Sequence, residues 1–235
     1  MIDVTKLTKA TLAKLMDYSI LPKESCEAEI RKGCAETRQY RFAAFYTSSA
    51  YWTPIVKAEL QGFDDIEIGT GISFPFGSAP PSVKAFETED AVARGCTTVD
   101  VVMNVGALKD RRHDIVREEL RLFRQAAGQA LTKAILETCY LTEAEIAAGC
   151  EMIAEAGIAF AKTSTGQFEG PSLEQFLVMK KTLAGSPVRL KVAGVKFPRP
   201  QNALIFIKAG AERIGTRAAI EIVESLDTLR AIGLC

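Results

Sequence analysis

Histidine is almost absent from this chain: its 235 residues contain one, His113. That residue lies in the charged run Lys109-Asp-Arg-Arg-His-Asp114 and reads as a surface helix position. A zinc centre or a histidine base therefore lacks its usual donor. The six cysteines (Cys26, Cys34, Cys96, Cys139, Cys150 and Cys235) show no CxxC and no paired spacing. They read as reduced thiols of a cytoplasmic protein, not as a disulfide framework. Neither sign of charge is in excess, since Lys+Arg and Asp+Glu both number 29. That argues against nucleic acid as a partner and leaves a local anion site open. No apolar run approaches the roughly 20 residues that a membrane helix needs. The start, Met1-Ile-Asp-Val-Thr-Lys-Leu-Thr-Lys, is too polar for a signal peptide. Also missing are a G-x-G-x-x-G fingerprint, a Walker loop, a Pro- or Ser-rich linker and any internal repeat. One domain over 1–235, free of metal and organic cofactor, is expected.

What is present is a steady alternation of short β-rich runs and amphipathic stretches. The strand candidates are 16–21, 41–47, 65–74, 98–104, 133–138, 158–164, 188–193 and 212–216. Several are nearly continuous apolar runs, as when both faces of a parallel sheet are covered. Helices are expected at 24–39, 50–61, 81–94, 107–129, 142–156, 172–184, 200–209 and 217–231. Thr142-Glu-Ala-Glu145 and Ser172-Leu-Glu-Gln175 fit capping boxes. An additional helix at 4–14 precedes the first strand. Eight β/α units in one chain predict the α/β class and a (β/α)8 TIM barrel with an extra N-terminal helix. In such a barrel, polar residues at the C-terminal strand ends face one site.

Three ionisable residues interrupt otherwise apolar strands: Asp100 in Thr98-Val-Asp-Val-Val102, Lys162 in Ile158-Ala-Phe-Ala-Lys162, and Lys191 in Val188-Arg-Leu-Lys-Val192. Each has apolar neighbours that should point to the helix layer, which turns all three into the barrel. One carboxylate neutralises only one of two ammonium groups, so one lysine is pressed toward the free amine. A neutral amine in a buried site attacks carbonyls. Lys162 is followed by Thr-Ser-Thr-Gly166, a hydroxyl-rich turn suited to a ligand.

The runs Ile72-Ser-Phe-Pro-Phe-Gly77, Val83-Lys-Ala-Phe-Glu87 and Val99-Asp-Val-Val-Met-Asn-Val-Gly-Ala-Leu-Lys109 resemble segments of the deoxyribose-phosphate aldolase family. So do Ile135-Leu-Glu-Thr138, Leu141-Thr-Glu143, Ala161-Lys-Thr-Ser-Thr-Gly166 and Ala209-Gly-Ala-Glu-Arg-Ile-Gly-Thr216, and the likeness spans almost the whole chain. The resemblance implies a TIM barrel that cleaves 2-deoxy-D-ribose 5-phosphate to acetaldehyde and D-glyceraldehyde 3-phosphate. It implies Lys162 as the Schiff-base lysine, Lys191 as the second lysine and Asp100 as the proton-relay carboxylate. Gly166, Gly194, Gly215 and Thr216 are expected as substrate and anion contacts, with Arg217 joining them as this chain's own guanidinium. The expected partner is a small aldehyde or sugar phosphate. A homodimer or higher homo-oligomer is left open.

Some positions depart from the family pattern. Lys191-Val-Ala-Gly194-Val195-Lys196-Phe197-Pro198-Arg199 stands where Lys-x-x-Gly-Gly-x-Arg is usual, so one glycine is lost. Arg217-Ala218 replaces small hydroxyl residues, Asp17-Tyr18-Ser19 replaces Asp-His-Thr, and Tyr46 stands where cysteine is common. Fewer glycines weaken a backbone anion cradle, and an arginine can replace it. The alternative is therefore a divergent lysine-dependent aldolase for a non-phosphorylated or carboxylated substrate. A non-catalytic sugar-phosphate-binding barrel comes behind it, and an isomerase further behind for want of a carboxylate–histidine pair. Lys196 rivals Lys191 but reads as a loop residue beside Pro198.

Overall fold

Apolar residues flank the charged strand positions on both sides, and the chain resolves this by closing its sheet. The computed structural model describes residues 2–235. Its strands are β1 (Met16–Ile20), β2 (Ala44–Thr47), β3 (Glu67–Ile72), β4 (Thr98–Val102), β5 (Leu131–Ile135), β6 (Phe160–Lys162), β7 (Arg189–Ala193) and β8 (Arg213–Thr216). They pair in sequence order, all parallel, and β8 pairs back onto β1. The result is a closed (β/α)8 barrel, as the alternation predicts.

The helices are α1 (Lys9–Ala13), α2 (Glu27–Tyr40), α3 (Thr53–Glu59), α4 (Pro81–Arg94), α5 (Val105–Lys109), α6 (His113–Ala126), α7 (Glu143–Glu155), α8 (Leu173–Thr182), α9 (Arg199–Ala209), α10 (Ala219–Glu224) and α11 (Leu226–Ala231). Outward strand residues such as Met16, Phe45, Ile72, Val99, Val101, Ala161, Val192 and Ile214 are buried against this ring and form the hydrophobic core. Thr142 and Ser172 close the two expected capping boxes at the starts of α7 and α8. Among the described residues, no helix is long and apolar enough to cross a membrane.

Four helix expectations need correction, the first being 50–61, which opens as a 3-10 turn at Ala50–Trp52 before α3. The stretch 107–129 is two helices, because Arg111 adopts a left-handed conformation (φ 56°) between α5 and α6. Asn104 caps α5 by accepting from the Ala107 amide at 3.0 Å. The N-terminal helix is a 3-10 turn (Val4–Lys6) followed by the short α1, each with its own cap, Asp3 and Thr8. The last stretch, 217–231, divides into α10 and α11 at Ser225.

One ion pair lies entirely in the helix layer. Lys84 on α4 and Glu119 on α6 meet at 2.5 Å with both side chains fully buried. Lys84 also donates to the Val102 carbonyl at 2.7 Å, and Glu119 accepts from the Asn104 amide at 3.1 Å. Burial pushes the Lys84 amine down and the Glu119 carboxyl up from their ordinary values. The pair thus pins the C-terminal end of β4, the strand that carries Asp100.

Candidate active site

Strand parity turns one residue in two toward the barrel axis, and here an unusual number of those are charged. Asp100 Oδ2 accepts from the Lys162 and Lys191 amines, each at 2.8 Å. The structure therefore brings Lys162, Asp100 and Lys191 together from β6, β4 and β7. Lys191 also contacts Asp17 on β1 at 2.6 Å. Asp17 accepts from Arg213 on β8 at 2.7 Å, and Arg213 reaches Glu67 on β3 at 2.8 Å. Lys133 on β5 is fully buried, 3.6 Å from Glu67 and 3.8 Å from Asp100.

The expected trio is thus the upper part of a larger network. Asp17, Glu67, Lys133 and Arg213 were not singled out from the sequence. Parity was the available signal: Lys133 falls in register with Asp100, and Arg213 with Lys191. The network holds three carboxylates (Asp17, Glu67, Asp100) against four cations (Lys133, Lys162, Lys191, Arg213). Within these contacts the cations outnumber the carboxylates by one, and Glu137 in the turn after β5 is a further carboxylate that Lys162 faces.

Burial favours the neutral amine of Lys162, Asp100 pulls the other way and Lys191 adds to the fall, leaving its pKa at about 8. Burial acts on Lys191 too, but Asp100 and Asp17 together outweigh it and raise its pKa. Burial would lift Asp100, yet Lys162, Lys191 and Lys133 hold it well below the usual carboxylate range. Asp17 is likewise drawn down to about 2 by Lys191, Lys133 and Arg213 against its burial. Lys133 is lowered mainly by burial, but Lys162 is the lowered amine that lines the pocket.

Lys162 lines a throat of about 30 Å³ together with Asp17, Tyr46, Phe74, Asp100 and Lys191. Above it opens a wider polar cleft of about 770 Å³. Gly166, Gly194, Gly215, Thr216 and Arg217 all line this cleft, with Lys196 and Arg199. Gly194 has φ 72°, and a Cβ there would sit 3.1 Å from the Gly170 Cα, so the loops after β6 and β7 press together through glycine. Val195 is buried beside it, while Arg217 is exposed. Lys196 is in the loop, exposed and paired with Glu169 at 2.8 Å, not in the lysine–aspartate cluster. Glu137 follows β5 in a left-handed conformation (φ 54°), and its carboxylate accepts from the Thr165 amide at 3.1 and 3.2 Å. It thereby fixes the turn that leads from Lys162 to Gly166. Among the described residues, no group of three or more His, Cys, Asp or Glu side chains is placed to hold a metal ion.

Fold and pocket define the class: a (β/α)8-barrel enzyme with its cleft at the C-terminal ends of the strands. No family model matches the chain. Curated relatives do. The chain is 39% identical to deoxyribose-phosphate aldolase from Clostridium tetani over 214 residues, covering 91% of this chain and 98% of that protein. It is 41% identical to the Bacillus mycoides enzyme of the same name, covering 90% and 94%. Among solved structures, an aldolase designated QR15 superposes with a TM-score of 0.85 at 31% identity over 99% of this chain and all of that one. The tetrameric deoxyribose phosphate aldolase from Aeropyrum pernix has the same fold, with a TM-score of 0.85 at 23% identity over 94% of this chain and 93% of that one. The chain belongs to the deoxyribose-phosphate aldolase family and is a lyase.

Proposed function

We propose that this chain, as one domain over residues 1–235, reversibly cleaves 2-deoxy-D-ribose 5-phosphate to acetaldehyde and D-glyceraldehyde 3-phosphate through an imine on Lys162. The observation that carries the reading is the shared Oδ2 of Asp100: two amines meet one carboxylate oxygen at the throat, and the more accessible of the two, Lys162, is the one lowered to about 8. Relatives about 40% identical over most of the chain carry the name of an aldolase for that substrate.

Neutral Lys162 adds to the aldehyde carbon of the open-chain sugar and gives a carbinolamine. Loss of water leaves the protonated imine, an electron sink. A base removes the C3 hydroxyl proton, the C2–C3 bond breaks and its electron pair moves into the imine as an enamine. Glyceraldehyde 3-phosphate departs, the enamine is protonated at C2, and hydrolysis releases acetaldehyde. Asp100 receives and returns these protons with Lys191 as its partner, and the Lys191 ammonium keeps Lys162 from holding its own. The phosphate lies in the upper cleft, where Gly166, Gly194, Gly215 and Thr216 offer backbone and hydroxyl groups and Arg217 a guanidinium. No step calls for a metal or an organic cofactor. The reading includes a cytoplasmic location, with six free thiols in its support, and leaves a homodimer or higher homo-oligomer open.

A second reading keeps the imine and changes the substrate to a carboxylated or neutral hydroxy-carbonyl compound. Val195 and Arg217 at the anion end favour it. Product analysis separates the two. The first reading expects acetaldehyde and glyceraldehyde 3-phosphate in equal amounts from deoxyribose 5-phosphate, with deoxyribose a far poorer substrate. Equal handling of both sugars, or turnover of neither beside cleavage of a carboxylated substrate, replaces it with the second.

A further inference from the structure

Tyr46 on β2 has no part in the chemistry above, yet it has more polar partners than any other aromatic residue in the barrel. Its hydroxyl lies 2.7 Å from Asp100 Oδ1, 2.8 Å from the Lys133 amine and 3.0 Å from Thr98 Oγ1. A phenol has one proton. The Lys133 ammonium can only donate and the Asp100 carboxylate can only accept. The bonds therefore run from Lys133 to the Tyr46 oxygen and from the Tyr46 hydrogen to Asp100 Oδ1.

The ring is built in as firmly as the hydroxyl. The Lys191 ammonium lies 4.1 Å from the ring centroid, a cation–π seat. On the neighbouring strand the register partner of Tyr46 is Gly69, where any Cβ would collide with the ring. The glycine makes the room that the tyrosine fills. Burial and the carboxylates of Asp100, Asp17 and Glu67 push the phenol well above its ordinary pKa, so it remains a donor.

Oδ1 of Asp100 is thus committed, and only Oδ2 is left for the two lysines. We propose that Tyr46 is a positioning residue for the aldol chemistry: its hydroxyl sets the rotation of the Asp100 carboxylate, and its ring face sets the place of the Lys191 ammonium. This rests on the reading of Lys162 as the imine-forming amine. Lys162 also faces Asp17 from β1 and Glu137 from the loop after β5, and neither of them touches Tyr46 through a hydrogen bond.

Tyr46→Phe keeps the ring and Gly69 packing and removes one hydroxyl. Turnover of deoxyribose 5-phosphate should lose about tenfold in kcat, with KM within about twofold, since the lost contact acts on protons and not on substrate. In an Asp100→Asn background the same change should cost under about threefold, because the group being positioned is gone. Tyr46→Leu, which also removes the ring face, should lose more than Tyr46→Phe. A Tyr46→Phe kcat within twofold of the unaltered chain, or an equal loss in both backgrounds, overturns the proposal. If the phenylalanine variant fails to fold, 4-fluorophenylalanine at position 46 keeps the ring and nearly the volume of the hydroxyl but cannot donate to Asp100. An unchanged kcat there overturns the proposal equally. Borohydride with acetaldehyde keeps the two readings apart. No adduct on Lys162 of the unaltered chain sinks both, whereas an adduct with insensitive Tyr46 variants sinks the positioning role alone.

Discussion

Lys191→Met should move the pH at which Lys162 becomes reactive. The two amines each lie 2.8 Å from the same Asp100 oxygen, so the nitrogens are at most about 5.6 Å apart. At that separation and an effective dielectric of about 20, ammonium–ammonium repulsion is roughly 3 kcal/mol or more. At about 1.4 kcal/mol per unit, this is more than two pKa units. Removing Lys191 deletes that repulsion and gives Asp100 Oδ2 to Lys162 alone. Both changes favour the charged amine, so its pKa should rise from about 8 toward the ordinary lysine value of 10.5. Water entering the vacated space screens part of the effect. A rise of at least one unit is expected, and each unit removes about nine-tenths of the free amine at pH 7. The initial rate of cyanoborohydride trapping of acetaldehyde, followed by intact mass from pH 6 to 10, reads this directly. Lys191→Arg retains the charge and should leave the acid limb within about half a unit. A limb at the same pH in Lys191→Met would refute the electrostatic account of the free amine.

Asp100→Asn keeps the shape and removes the base, so kcat should fall roughly 10²-fold with a smaller change in KM. An unchanged kcat with a large rise in KM would make Asp100 a binding residue only. Arg217→Ala should remove a charge-assisted contact of about 1.5–3 kcal/mol, and deoxyribose 5-phosphate should lose much of its advantage over deoxyribose. An unchanged ratio of the two kcat/KM values would take Arg217 out of the anion site. Lys84→Met leaves the Glu119 carboxylate buried without its ammonium and should cost about 3–5 kcal/mol in urea unfolding, much of it recovered by Lys84→Met with Glu119→Leu. A single variant costing under about 1 kcal/mol would show that the pair does not hold the end of β4.

The barrel was legible because its strands are short, buried on both faces and separated by capped helices. Lys162, Asp100 and Lys191 were legible because each breaks an apolar run from the inside. Lys133 was not, for a definite reason. The sequence puts the start of that strand at 133, where a lysine looks like a solvent-facing boundary, whereas β5 begins at Leu131 and carries Lys133 two residues inside. Asp17 and Arg213 lie on the two strands with the weakest β propensity, and only closure of β8 onto β1 makes them neighbours. The role of Tyr46 depends on Gly69 of another strand, and no local pattern joins the two. Helix ends were missed where a single left-handed residue, Arg111, breaks a continuous amphipathic pattern.

The central claim is that the buried amine of Lys162 forms the imine. Borohydride reduction in the presence of acetaldehyde, followed by peptide mapping, tests it most directly. The account predicts one reduced adduct per chain, placed on Lys162, and none in Lys162→Arg, whose guanidinium stays protonated. An adduct on Lys191 instead, or trapping that survives in Lys162→Arg, would contradict it.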